Sequence, residues 1–204
     1  MEYLFLIIIL IFSIVIHEIS HGAAANYLGD PTAKYAGRLT LNPIRHLDPI
    51  GSILVPLFLI ILRSPILFGW AKPVPINPYN FRDQKYGSAK VALAGPGSNL
   101  TVALVFGLVL RFFPEIAAIP GLTLMFSYIV YINILLAIFN LLPLPPLDGS
   151  HILFTFLPPG FENLKIFLSQ FGIFILLFIL FFFFHWIFLF INWIFGLIVG
   201  APLF

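Results

Sequence analysis

The stretch Tyr3-LFLIIILIFSIVI-His17-Glu18-Ile19-Ser20-His21 decides the fold class, because an apolar run ends in three ionisable side chains. A hydrocarbon core about 30 Å thick takes roughly 20 helical residues to cross, and the block from Tyr3 to about Leu28 meets that length. Residues i and i+4 of a helix lie about 40° apart, so the imidazoles of His17 and His21 share one face with Glu18 close by. Two such imidazoles can reach one metal ion, and a neighbouring carboxylate can serve a metal-bound water as its base. An ionisable residue in a membrane helix costs roughly 2.5 to 3.5 kcal/mol on insertion scales, which speaks against an idle cluster. Structural hydrogen bonding and a proton pathway are the competing readings of the same residues.

The rest of the chain agrees with a lipid solvent. Of 204 residues 61% are hydrophobic and 9% charged, against roughly 45 to 50% and about 25% in soluble domains. With 25 phenylalanines and only 18 charged side chains (10 Lys+Arg, 8 Asp+Glu), a water-soluble globule lacks the polar surface it needs. High hydrophobicity excludes a disordered chain, and the absence of cysteine excludes a disulfide scaffold. A formal charge of +2 with no run of like charges gives no nucleic-acid footprint. The amino-terminal run lacks the basic start of a signal peptide and continues into His17 and Glu18, so it is expected to be retained.

Further apolar blocks run from about Ile50 to Leu62, Ser88 to Phe113, Gly121 to Leu142 and Phe161 onward. The second is short, contains Pro56, and either crosses or re-enters. The last is too long for one untilted span, and a break is expected near Phe184, His185, Trp186 or Asn192. The expectation is an all-α polytopic membrane protein of five to six transmembrane helices, one domain over residues 1–204. Gly37-Arg-Leu-Thr-Leu41 alternates and is bounded by Asn42-Pro43, which predicts a short extended or β-hairpin-like element. Trp70 to Pro78 reads as a stiff extended connector because of Pro73, Pro75 and Pro78. Lys34, Arg38 and Arg45 lie in the first loop and Arg63, Lys72, Arg82, Lys85 and Lys90 in the second, so orientation depends on whether the short block crosses.

A catalytic zinc takes three protein ligands and keeps a position for water. Asp148, His46, Asp48, His151 and His185 are candidates for the third, and Asp148 is the strongest. It ends Asn140-Leu-Leu-Pro-Leu-Pro-Pro-Leu-Asp148-Gly149, where three prolines stop a helix and free its backbone groups, tolerable at membrane depth only inside protein or a wet cavity. An Asp-Gly surface turn accounts for the same residues equally well.

Taken in order, His17-Glu18-x-x-His21, Gly95-Pro96-Gly97-Ser98-Asn99 and Asn140-x-x-Pro143-x-Pro145-x-x-Asp148-Gly149 resemble the site-2 protease family of intramembrane zinc metalloproteases. Gly37-Arg-Leu-Thr-Leu-Asn-Pro43 and His46-Leu-Asp48-Pro49 resemble its small prokaryotic branch, without PDZ or nucleotide-sensing domains. The resemblance implies one Zn²⁺ held by His17, His21 and Asp148, with Glu18 as base. It implies substrate contacts from Asn140, while Asn99 either contacts substrate or permits close helix packing. Leu39 to Leu41 would offer an edge to an unwound substrate strand. A polar channel lined by Glu18, Asn140 and His46 would admit water, His46 and Asp48 otherwise forming a loop turn, and His151 reads as a bystander. The implied partners are a membrane-spanning substrate and the bilayer, in a prokaryotic cytoplasmic membrane. The competing class is a zinc-binding or ion-conducting transporter without proteolytic activity.

Overall fold

The computed structural model describes residues 2–62 and 70–201. Its helices are α1 (Glu2–Tyr27), α2 (Thr32–Tyr35), α3 (Val55–Ile61), α4 (Gly87–Phe112), α5 (Pro114–Ala117), α6 (Pro120–Asn140), α7 (Asp148–Phe156) and α8 (Glu162–Val199). Four of them are long and apolar enough to cross a membrane: α1, α4, α6 and α8.

Lipid is as apolar as leucine, so these helices are not driven together by burial; small residues and interhelical hydrogen bonds must do it. Helix α4 supplies both. Asn99, Ala103 and Gly107 recur every fourth residue and are buried, and a Cβ at Gly107 would come within 2.4 Å of the Ile198 side chain. Ala103 packs with Val130 and Ile134 of α6 and Ile191 and Phe195 of α8 in one buried cluster. Pro96 sits inside α4 and is itself buried, so the interrupted backbone ladder is enclosed by protein rather than lipid.

The expected five to six spans reduce to four candidates among the described residues. The second apolar block forms a π-helical turn, Pro49–Leu54, running into α3. Its 13 residues from Pro49 to Ile61 rise about 20 Å, short of a crossing. The Trp70 N–H donates to the Gly51 carbonyl at 3.1 Å, which sets the start of the connector beside the start of this block.

No strand occurs among the described residues, and Leu39 to Leu41 form bends instead of the expected extended element. The local hydrogen bonds explain this. The Thr40 carbonyl is engaged by His46 Nε2 at 2.9 Å and the Asn42 N–H by Thr40 Oγ1 at 3.3 Å, so the backbone folds onto itself. The extended reading of the connector fits better: Trp70 to Asn77 has no helical or turn assignment.

The expected break in the last block is absent. Helix α8 runs unbroken for 38 residues, about 57 Å at the usual rise. None of Phe184, His185, Trp186 and Asn192 removes a backbone donor, so none stops a helix. The length resolves into two parts. Gly172 lies against the Pro145 carbonyl and the Leu197 carbonyl accepts from Arg111 at the far end of α4. The stretch between them covers about 37 Å and suffices to cross, which leaves Glu162 to Phe171 projecting past the loop that bears Pro145.

Most of the charged connections among the described residues gather at one end. Asn77 N–H donates to Asp30 at 2.7 Å, Arg82 N–H to the Leu28 carbonyl at 2.8 Å, Lys72 N–H to the His46 carbonyl at 2.9 Å, and Tyr86 stacks near Phe156. Lys34, Arg38, Arg45, Lys72, Arg82, Lys85 and Lys90 therefore share an end with α7, while Arg111 marks the opposite one. Arg63 lies outside the described residues.

Candidate metal centre

His17 and His21 lie one turn apart on α1, and Asp148 is brought to them as the first residue of α7. Their atoms converge: His17 Nε2 is 3.0 Å from His21 Nε2, and Asp148 Oδ2 is 3.1 Å and 3.2 Å from the two nitrogens. Four ligands about 2.0 to 2.2 Å from a tetrahedral zinc lie about 3.3 to 3.6 Å from one another, close to this triangle.

The outward sides of both rings fix their chemistry. His21 Nδ1 donates to the Val91 carbonyl at 2.7 Å, which in the neutral ring leaves Nε2 with the lone pair. His17 Nδ1 meets Asn99 Oδ1 at 2.6 Å. Which atom of that amide faces His17 is set further back: Asn133 Nδ2 donates to the Ile129 carbonyl and to Ser13 Oγ, so Asn133 Oδ1 accepts from Asn99 Nδ2 at 2.8 Å. Asn99 Nδ2 also reaches the Ser13 carbonyl, leaving Asn99 Oδ1 to accept from His17. Two nitrogen lone pairs and a carboxylate oxygen thus face one point. That arrangement needs a positive charge among the three atoms, a proton or a metal ion, and a ring N–H held by an outer acceptor is the usual support of a metal-bound histidine.

Two further observations fit a metal. Asp148 Oδ2 is buried without a hydrogen-bond donor. A Cβ on Gly95 would lie 2.3 Å from His21 Nε2 and 2.6 Å from His17 Cε1, so the glycine clears the space that the imidazoles occupy. Gly149 serves the third ligand in the same way, because a Cβ there would strike the Leu141 and Leu142 carbonyls at the end of α6.

Glu18 lines the same cavity, of about 400 Å³, together with Asn140, Pro73, Val74, Pro146 and His151. Its Oε2 accepts a 2.8 Å hydrogen bond from the Val74 N–H. Two histidines and a carboxylate with a second carboxylate beside an open cavity are a hydrolytic zinc arrangement.

Residues 115–179 match the profile of peptidase family M50. The chain is 44% identical over 162 residues to a Bacillus subtilis protein named "Putative zinc metalloprotease YwhC", covering 76% of this chain and 70% of that one. It is 29% identical over 163 residues to "Putative zinc metalloprotease Rip2" of Mycolicibacterium smegmatis, 78% of this chain and 60% of that one. A 92-residue match at 36% identity, 43% of this chain and 46% of the relative, reaches "Putative zinc metalloprotease MJ0611" of Methanocaldococcus jannaschii. No solved structure matches the chain.

The chain belongs to peptidase family M50. This M50 chain is a zinc metallopeptidase, and the transporter alternative gives way to that assignment. The profile match holds Asn140 and Asp148 and begins well after α1, so the histidine pair and the aspartate come from segments far apart in sequence.

The other expected site residues fall in different places. Asn140 lines the cavity, its Nδ2 bound to the Leu136 carbonyl at 2.9 Å. Asn99 is wholly enclosed, is not among the residues lining the cavity, and is turned to His17 rather than to a substrate. His46 is 2% exposed and likewise lies away from the cavity lining, tied to Thr40. Asp48 forms a turn, accepting from the Ile50 and Gly51 N–H groups. His185 lies on the exposed face of α8 beside Trp186. His151, read as a bystander, lines the cavity. Sequence reasoning passed over Ser13, Val74 and Asn133. The two polar residues carried a usable signal, since Ser13 shares a helix face with His17 and Asn133 places an amide in the middle of an apolar span.

Proposed function

We propose that residues 1–204 work as one membrane-embedded domain that hydrolyses a peptide bond of a membrane-spanning substrate within or beside the bilayer. His17, His21 and Asp148 are its zinc ligands, Glu18 its base, and Asn140 a substrate contact. The observation that carries this reading is the convergence of His17 Nε2, His21 Nε2 and Asp148 Oδ2 beside Glu18 in one cavity.

A zinc ion held by His17, His21 and Asp148 would supply Lewis-acid polarisation of the scissile carbonyl and would make a water easier to deprotonate near neutral pH. The protein's own part is to orient and to move protons. Glu18, with Oε2 engaged by Val74, takes a proton from the attacking water and returns it to the leaving amine nitrogen. Asn140 offers an amide to the substrate backbone or the developing oxyanion. His17 stands ten residues before the end of α1, about 15 Å along the helix, a depth suited to a bond in an apolar segment.

The shared end of the basic loops supports a cytoplasmic placement of the cavity mouth, in a prokaryotic cytoplasmic membrane. A cysteine placed at exposed Tyr79 should react with an impermeant thiol reagent only from the cytoplasmic side.

The test is metal analysis with cleavage of a transmembrane reporter. Glu18→Gln should keep zinc and lose cleavage, while Asp148→Ala should lose both. A Glu18→Gln variant that cleaves at the native rate would refute the assignment.

A further inference from the structure

The connector from Trp70 to Asn77 has two unlike edges. Its N–H groups at alternate residues are committed inward: Trp70 to the Gly51 carbonyl, Lys72 to the His46 carbonyl, and Val74 to Glu18 Oε2 at 2.8 Å. The intervening positions are Ala71 and Pro73, followed by Pro75, so the other edge has no donor at 73 or 75. That edge cannot accept a regular added strand, and the connector acts as a wall of the cavity rather than a template.

The inward edge is fixed at several points. The Lys72 carbonyl accepts from Arg38 Nη2 at 2.5 Å, the Trp70 carbonyl from Ser52 at 2.8 Å, and the Asn77 N–H is held by Asp30. Prolines at 73 and 75 restrict the backbone on either side of Val74. Gly22 completes the seat. It lies one turn beyond Glu18 on the same face of α1, and a Cβ there would come within 3.1 Å of Val74 Cγ1 and 2.7 Å of Leu39 Cδ2. The valine therefore rests where a side chain is missing, and its N–H meets the carboxylate.

We infer that the Val74 N–H is a positioning group for the reaction: it holds one oxygen of Glu18 and so leaves the other in a single orientation toward the cavity. This rests on the reading of Glu18 as base. An untethered glutamate samples several rotamers, and only some of them place the carboxylate where a proton can be taken.

The experiment replaces the donor without removing the side chain, by an ester in place of the amide at Val74, beside Val74→Pro and Val74→Ala. Zinc content, kcat and KM are measured on the transmembrane reporter for each. The ester and Val74→Pro should retain native zinc and KM while kcat falls roughly 10- to 100-fold, the range of a hydrogen bond to a charged group. Val74→Ala keeps the N–H but removes the side chain that rests on Gly22, so its kcat should fall less than that of the ester, and an ester that falls no further than Val74→Ala counts against the N–H. If Val74→Pro fails to fold, the ester decides. An ester variant with native kcat, or one that loses zinc together with activity, overturns the inference. In the first case a silent Glu18→Gln variant still leaves Glu18 as base, whereas an active one removes the premise.

Discussion

Where α1, α4 and α6 meet, Ser13, His17, Asn99 and Asn133 form one buried hydrogen-bonded chain. Helix α8 is the opposite, with Phe181 82% exposed and Phe174, Phe182 and Phe184 also turned outward. The two regions are apolar by composition, yet one is a fixed polar device and the other a lipid-facing surface. In hydrocarbon a polar group without a partner is expensive, so a buried polar chain must be complete. An apolar face carries no such demand, since lipid satisfies it in any rotamer.

This contrast is sharpest where a single methyl group meets the ligands. Gly95→Ala should weaken zinc binding on the order of 100-fold, because the added Cβ occupies the His21 ring position. Competition with a chelator measures it, and native affinity would show that the rings have room to move.

Cutting the chain one step away should act more gently. Asn99→Ala removes the acceptor for His17 Nδ1 and should lower zinc affinity about tenfold, with Asn133→Ala following in the same direction by less. An Asn133→Ala effect larger than that of Asn99→Ala would break the proposed direction of the chain.

A second polar knot lies outside the membrane spans. Burial pushes the Asp30 carboxyl up, but hydrogen bonds from Thr32, the Asn77 N–H and Asn80 outweigh it and hold the group below its ordinary value. A depressed folded-state pKa gives stability above the unfolded value of about 3.9, lost as pH falls through the folded value. Asp30→Asn should therefore be less stable by about 1 to 3 kcal/mol at neutral pH. It should also lack the part of the acid-induced loss that the native chain shows below about pH 4. Thermal melts in detergent at several pH values read both, and parallel curves would sink the assignment.

On α8, Phe181→Leu should change stability by no more than about 0.5 kcal/mol, as for other exposed positions. A larger loss would mean that this face is packed and would erase the contrast with the seam.

How far each region could be read follows from the same physics. His17, Glu18 and His21 stand out because their spacing is a local property of one helix. Asp148 stands out because the prolines before it mark the end of another. Asn133, Ser13 and Val74 do not, because what they do is defined by partners 34 to 120 positions away. The break expected near His185 and the strand expected at Leu39 failed for related reasons. Hydropathy measures how apolar a stretch is and not which part of it the neighbours grip. Alternation describes side chains and not where Thr40 finds its hydrogen bond.

The amino-acid order by itself determined the lipid solvent, the helical class and the i, i+4 imidazole pair, since each depends on composition or on one helical turn. Only the tertiary structure decided which end bears the charged loops, which ring nitrogen of His17 is free, and what holds Glu18. Those depend on directional bonds between distant segments, whose lengths and angles exist only once the helices have packed.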